Sequence, residues 1–119
     1  MKYMLLIHQG TTPTPRSPEE WAILSEDEQR AVFADYEAIN QTPGVTPGLG
    51  LDAPETATTV RVQDGKTLTT DGPFAETKEA IGGYLLFEAD DLDAAIELAS
   101  RIPAASMGGA IEVRPLVER

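Results

Sequence analysis

The feature that most restricts the fold of this chain is a short strand near its start that is apolar on both sides. The run Tyr3-Met4-Leu5-Leu6-Ile7 predicts a β-strand over residues 2–8 that closes in His8. Side chains alternate along a strand, so the odd-numbered residues of this run share one face, and Met4 and Leu6 share the other. A strand that is apolar on both faces needs cover on both faces, which a single layer of helices cannot provide.

A second strand of the same kind is predicted over residues 81–88. One face carries Ile81, Gly83, Leu85 and Phe87, and the other carries Gly82, Tyr84 and Leu86. Glycine has no side chain to pack in a sheet, so the adjacent Gly82 and Gly83 predict a bulge or the close approach of another group.

Two main helices are predicted from capping residues and apolar spacing. Ser25 and Glu28 form a capping box that starts a helix over residues 26–40, after a short helix that begins at Ser17. Asp90 or Asp91 caps the second main helix, which Pro103 ends. The stripes predicted to face the core are Val32, Phe33, Tyr36 and Ile39 in the first main helix and Leu92, Ala95, Ile96 and Ala99 in the second, and Trp21 is also assigned to the core.

A β-hairpin is predicted between the two helices. Residues 58–62 and 67–70 favour strands and flank Asp64-Gly65, a pair typical of a two-residue type I′ turn. Residues 42–54 are predicted as loop or a very short strand around 49–51, and a last strand is expected over 110–116. The element order is βαββαβ with an extra hairpin, which is the ferredoxin-like order of an α+β fold.

The predicted sheet leads to a prediction about assembly. Two helices cover only one face of a sheet of four or five strands, while the first and fourth strands also carry apolar side chains on the other face. Leaving this second face exposed would create an apolar patch of roughly several hundred Å², which soluble monomers seldom show. The sequence therefore predicts a homodimer in which two sheets pack face to face as a dimeric α+β barrel.

Length and composition exclude several classes of function. The chain has 119 residues, which predicts one domain over 1–119, and 20 acidic against 9 basic residues give a formal charge of −11. This charge would repel nucleic acid and anionic membrane surfaces. With no cysteine, one histidine and no phosphate-binding glycine motif, neither a metal nor a cofactor is expected. The early apolar run is too short for a membrane span or signal peptide, so a cytoplasmic protein is expected.

Several segments resemble the YCII-related DGPF-domain family over nearly the whole chain. They are Met1-Lys2-Tyr3-Met4-Leu5-Leu6-Ile7, Ala57-Thr58-Thr59-Val60-Arg61, Thr70-Asp71-Gly72-Pro73-Phe74-Ala75-Glu76-Thr77-Lys78-Glu79, Gly82-Gly83-Tyr84 and Glu112-Val113-Arg114-Pro115. The resemblance implies a dimeric α+β barrel of ferredoxin-like halves from a bacterium, in a family often encoded beside extracytoplasmic-function sigma factors. It also implies wider relatives that are small-molecule enzymes, including a dehydrochlorinase acting on chlorinated aromatics.

One departure from the family pattern limits what the resemblance implies. The better-studied members of the family pair a histidine in the first helix with an aspartate elsewhere, but no histidine lies between Ser25 and Asn40 here. That pair of residues, and the activity attributed to it, therefore does not carry over to this chain.

The candidate catalytic residues are His8 and Asp71. A neutral imidazole can accept or donate a proton near neutral pH, and a carboxylate within reach would orient it. Asp71-Gly72-Pro73-Phe74 is also consistent with a simple turn. The residues predicted to line a ligand pocket are Met4, Leu6, Gly72, Pro73, Phe74 and Tyr84, and either Arg61 or Arg114 is a candidate for binding a substrate carboxylate.

Two functional hypotheses follow from these residues. The first is a small-molecule-binding protein with a regulatory or metabolite-sensing role. The second is a cofactor-free isomerase or lyase that uses His8 and Asp71 to move a proton on a small acidic or phenolic substrate. The missing helix histidine favours binding, whereas the strand-end histidine and the retained Asp71 motif keep catalysis open.

Overall fold

A computed structural model of the chain describes residues 1–72 and 81–118. The strands are β1 (Lys2–His8), β2 (Val45–Gly50), β3 (Thr58–Gln63), β4 (Lys66–Asp71), β5 (Ile81–Glu88) and β6 (Ala110–Pro115). The helices are α1 (Pro18–Trp21), α2 (Glu26–Asn40), α3 (Leu92–Ser100) and α4 (Pro103–Ser106), and Pro54–Thr56 form one 3-10 turn. The order confirms the α+β, ferredoxin-like prediction.

Four strands form one antiparallel sheet in the order β2-β5-β1-β6. The first βαβ unit is split, because β5 lies between β1 and β2, as expected for this fold. β3 and β4 form a separate two-stranded sheet, in which Val62 lies opposite Thr67 and Val60 opposite Thr69. Asp64 and Gly65 both have positive φ at its turn, as a type I′ turn requires, so the predicted hairpin is confirmed.

β2 corrects the prediction of loop or a very short strand in this region. It is a six-residue strand that pairs with β5. Pro47 and the glycines on either side made the segment resemble a loop. β2 is an edge strand, where proline is tolerated because one side of the backbone does not need to donate hydrogen bonds to a neighbour.

The core lies on the helix-covered face of the sheet. Its largest fully buried side chains are Tyr3, Leu5, Ile39, Leu98 and Ile102. This arrangement confirms the predicted division of β1, since its odd-numbered residues are buried while Met4 and Leu6 are only half-buried on the opposite face. Along the part of the chain that the structure describes, no helix is long and apolar enough to cross a membrane.

The helices begin as predicted but bury different stripes. The Ser25 hydroxyl accepts from Glu28 N–H at 3.1 Å and the Glu28 carboxylate accepts from Ser25 N–H at 3.0 Å, while the Asp91 carboxylate caps α3. α3 buries Ala95, Leu98 and Ala99, and the predicted Leu92 and Ile96 are each 50% exposed. The predicted core stripe of α3 was therefore wrong at Leu92 and Ile96. The buried face of the helix includes Leu98 in their place.

α2 departs further from the prediction. Of its predicted core stripe, only Ile39 is fully buried. Tyr36 and Val32 are half-buried, and Phe33 is 56% exposed with its ring edge-on to Trp21 at 5.4 Å between centroids. α2 is thus anchored on the sheet near its C-terminal end, and Phe33 and Tyr36 border an open cleft.

Candidate functional site

His8 lies at the end of β1, on the sheet face opposite the helices. Its Nε2 atom is 3.2 Å from Oε1 of Glu112, on the neighbouring strand β6. The other Glu112 oxygen accepts a hydrogen bond from Arg114. The hydrogen bonds from Arg114 and then from His8 lower the pKa of Glu112 below its ordinary value. A carboxylate oriented against an imidazole is therefore present, supplied by Glu112.

Three predicted pocket residues share that open face with His8. Leu6 lies opposite Tyr84 on β5, and Met4 lies opposite Leu86. Tyr84 is 36% exposed, and the other side chains of this group are half-buried. The register thus brings Met4, Leu6, His8 and Tyr84 onto one continuous surface.

Asp71 and Gly72 lie elsewhere, at the base of the β3–β4 hairpin. Asp71 is exposed and pairs with Thr58 across the hairpin. The Gly72 N–H donates to the Ala57 carbonyl at 2.7 Å, and the Gly72 carbonyl accepts from the Thr59 hydroxyl at 2.8 Å. These contacts are those of a structural turn, and a His8–Asp71 pair remains a prediction. Pro73 and Phe74 lie outside the described residues.

A cleft of about 300 Å³ opens beside the sheet, between α2 and the ends of β1, β2 and β5. Its walls combine polar groups with apolar surface, and the residues that line it are Ile7, Gln9, Arg16, Phe33, Tyr36, Asn40, Gly48, Leu49, Gly50, Gly82, Gly83, Tyr84 and Leu85. The α2 contributions, Phe33, Tyr36 and Asn40, are three and four residues apart, so one face of the helix forms one wall.

Arg16 is the only charged residue among the described residues of the cleft wall. It belongs to the loop between β1 and α1, and its Nη1 atom donates to the Gly82 carbonyl at 3.2 Å. A Cβ atom at position 50 would lie 3.0 Å from Nη2 of Arg16. Because Gly50 has no Cβ, the guanidinium can lie against β2. Within 1–72 and 81–118, no carboxylate lies within ion-pair distance of Arg16.

Gln9 lies against the backbone of β5 at a bulge. The register of β1 and β5 shifts between Ile7 and His8, so that Gly82 is left over between two paired residues. A Cβ at Gly82 would lie 2.3 Å from Cγ of Gln9, which is closer than side-chain atoms approach each other. Both alternatives predicted for the glycine pair, a bulge and the close approach of another group, are therefore present.

Tyr36 places a phenol in the wall of the cleft. Burial raises the pKa of its hydroxyl, and this effect is partly offset by the charge of Arg16 and a hydrogen bond from the Gln9 side chain. The hydroxyl is therefore protonated at neutral pH. It can donate a hydrogen bond to a bound group beside the arginine.

Comparison with known proteins shows which family the chain belongs to. The model of the YCII-related domain matches residues 1–119. This chain belongs to the YCII-related family. The chain is also 38% identical over 97 residues to a protein of Rhizobium meliloti (strain 1021) named "Uncharacterized protein R00369", a match that covers 77% of this chain and 78% of the relative.

The sequence did not identify the cleft of this YCII-related protein. Gln9 and Arg16 fall in a loop without periodicity, and Tyr36 was assigned to the core because it continues the apolar stripe of α2. It does pack partly against the core, but it also faces the cleft. Two signals pointed to this position: Tyr84, a predicted pocket residue, is among the residues that line the cleft, and the adjacent glycines at 82 and 83 predicted that another group approaches β5.

Proposed function

We propose that this YCII-related protein binds a small molecule in the cleft between α2 and β5. The observation that carries the proposal is the composition of the cleft wall. One guanidinium, one half-buried phenol and the amides of Gln9 and Asn40 line a space whose other walls are formed by apolar side chains such as Phe33 and Leu49. Ligand sites typically combine an apolar lining with a few convergent polar groups, and a volume of about 300 Å³ is at the lower end of their range.

The same proposal includes a homodimer. The open sheet face carries Met4, Leu6, Tyr84 and Leu86 next to one another. A second copy of the chain packed on this face would remove these side chains from water, and would also enclose His8 and Glu112. The binding protein is proposed to act in the cytoplasm in a regulatory or metabolite-sensing role.

A second candidate function is proton transfer at His8. It is favoured by the 3.2 Å contact between the His8 ring and the Glu112 carboxylate, because a carboxylate that orients an imidazole is a recurrent acid–base arrangement. In this alternative, Asp71 remains the candidate for the second proton-transfer group. It would approach His8 either from the hairpin of the same chain or from the hairpin of a neighbouring copy. The reaction would be an isomerisation or an elimination on a small acidic or phenolic substrate.

The experiment that tests binding is native mass spectrometry of the protein purified without denaturation. We expect a small molecule to co-purify and to be released on unfolding. Phe33→Ala removes an apolar wall and should reduce the occupied fraction, whereas Ile23→Ala removes a side chain that is 80% exposed and does not line the cleft, and should leave it unchanged.

The outcomes separate the two candidates. Retention of the ligand by Phe33→Ala and its loss in His8→Ala would place the ligand on the open sheet face and contradict binding in the cleft. A fully unoccupied protein that also binds nothing from a metabolite extract would contradict the proposed function.

A further inference from the structure

We infer that the ligand of the cleft is a small organic carboxylate with a flat apolar body, held at its charged end by Arg16. This inference rests on the proposed function and adds the chemical class of the ligand.

The charge of the described cleft wall is opposite in sign to the charge of the chain as a whole. The chain carries a formal charge of −11, yet the described part of the cleft wall contains one cation and no carboxylate. An anion in the cleft therefore meets a positive group at short range. A cationic ligand would have no acidic partner among these residues.

The Arg16 guanidinium has hydrogen-bond donors available for a carboxylate. A guanidinium has five N–H donors in a planar fork that matches a carboxylate, and one donor of Arg16 is used by the Gly82 carbonyl. That bond and the close approach allowed by Gly50 hold the guanidinium in the cleft wall between β2 and β5. Arg16 and the protonated Tyr36 hydroxyl line the same cleft, so each can offer a hydrogen-bond donor to a carboxylate bound there.

The surroundings of Arg16 indicate the side from which the anion binds. A neighbouring depression of about 280 Å³, which shares Gln9, Arg16 and Gly82 with the cleft, is also lined by Glu20, Asp52 and Glu55. These carboxylates repel an anion from that depression, and the cleft towards Tyr36 contains no acidic group among the described residues. The carboxylate therefore lies between Arg16 and Tyr36.

The shape of the cleft indicates the rest of the ligand. The body of the ligand lies between Phe33 on α2 and Leu49 on β2, with Ile7 and Leu85 at the floor. These walls offer apolar contact and the edge or face of a ring, which suits an aromatic or a compact aliphatic group. A single charge on the wall matches a monocarboxylate better than a phosphate ester, which carries up to two charges.

The test is titration of the full-length protein with benzoate and phenylacetate and with their neutral amides, followed by isothermal calorimetry and by amide chemical shifts. We expect each acid to bind at least about tenfold more tightly than its amide, and the shifts to cluster on Gln9, Arg16 and Tyr36. Arg16→Gln should remove this preference, and Arg16→Lys should retain part of it because it keeps the charge but not the fork. Arg30→Gln is the matched control, since it removes the same charge from an exposed position of α2 that is paired with Asp27.

The outcomes distinguish this inference from the proposed function. Equal affinity for an acid and its amide, or unchanged acid affinity in a folded Arg16→Gln protein, would overturn the carboxylate assignment and leave binding in the cleft intact. Failure of all four probes to bind would also overturn the assignment, whereas the proposed function is judged by the co-purified molecule. A Tyr36→Phe variant that loses acid affinity but keeps its melting temperature would further support the assignment.

Discussion

Replacing each of the two adjacent glycines of β5 by alanine gives opposite expected results, although the change is chemically identical. A Cβ at Gly82 would lie 2.3, 2.6 and 2.9 Å from the Cγ, Nε2 and Cδ atoms of Gln9. A Cβ at Gly83 would lie no closer than 3.5 Å to any atom, its nearest neighbour being the Leu49 carbonyl oxygen. The first substitution therefore requires a movement, and the second fills available space.

The size of each effect follows from these distances. In Gly82→Ala, the new methyl group meets the Gln9 side chain, and forcing an extra methyl group into occupied space costs about 1–3 kcal/mol. Alanine recovers about 0.4–1 kcal/mol, because it reduces the conformational entropy of the unfolded chain. We expect Gly82→Ala to lower the free energy of unfolding by about 1 kcal/mol and Gly83→Ala to raise it by about 0.5 kcal/mol.

The assay is urea unfolding of the wild type and both variants at one fixed protein concentration, because the proposed dimer would make stability depend on concentration. The difference of about 1.5 kcal/mol between the variants is well within the resolution of the method. Displacement of Gln9 should also weaken benzoate binding in Gly82→Ala. A Gly82→Ala protein as stable as Gly83→Ala would refute the placement of Gln9 against β5, and with it the geometry of the cleft.

Three further predictions concern a helix cap, the half-buried phenol of Tyr36 and the open sheet face. Ser25→Ala removes one half of the capping box of α2 and should lower the free energy of unfolding by about 1 kcal/mol in thermal or urea unfolding, whereas an unchanged stability would contradict the cap. The pKa of Tyr36 is raised on folding, so its stabilising effect is complete below the unfolded pKa of about 10 and is lost as pH rises through the folded value. The unfolding free energy should therefore fall less steeply above about pH 10 in Tyr36→Phe than in the wild type, and equal slopes would contradict the burial of this hydroxyl. Light scattering after size exclusion should show a dimer at micromolar concentration that Leu86→Asp converts to monomer, and a monomeric wild type would contradict the proposed packing of two sheets.

Local patterns in the sequence predicted most of the fold, because they depend on neighbouring residues. The capping box of α2 involves Ser25 and Glu28, three residues apart, and the hairpin turn involves only Asp64-Gly65. β2 was underestimated for a non-local reason: a strand that contains Pro47 is acceptable only at a sheet edge, and its place in the sheet depends on pairing with β5.

The candidate site was harder to predict, since its contacts join distant parts of the chain. Arg16 meets the Gly82 carbonyl across 66 positions, and His8 meets Glu112 across 104. Nothing in the local sequence around Arg16 specifies either its partner or the cleft beside it. His8, Met4, Leu6 and Tyr84 could be placed on one face because strand alternation is a local rule, but the carboxylate that contacts the His8 ring could not be identified in this way.

The most direct test of the central claim is a crystal structure of the protein grown with the molecule that co-purifies with it. We predict density for that molecule between α2 and β5, with a polar group within hydrogen-bond distance of the Arg16 guanidinium. Density for the molecule against His8 and Glu112, with only water beside Arg16, would contradict the account.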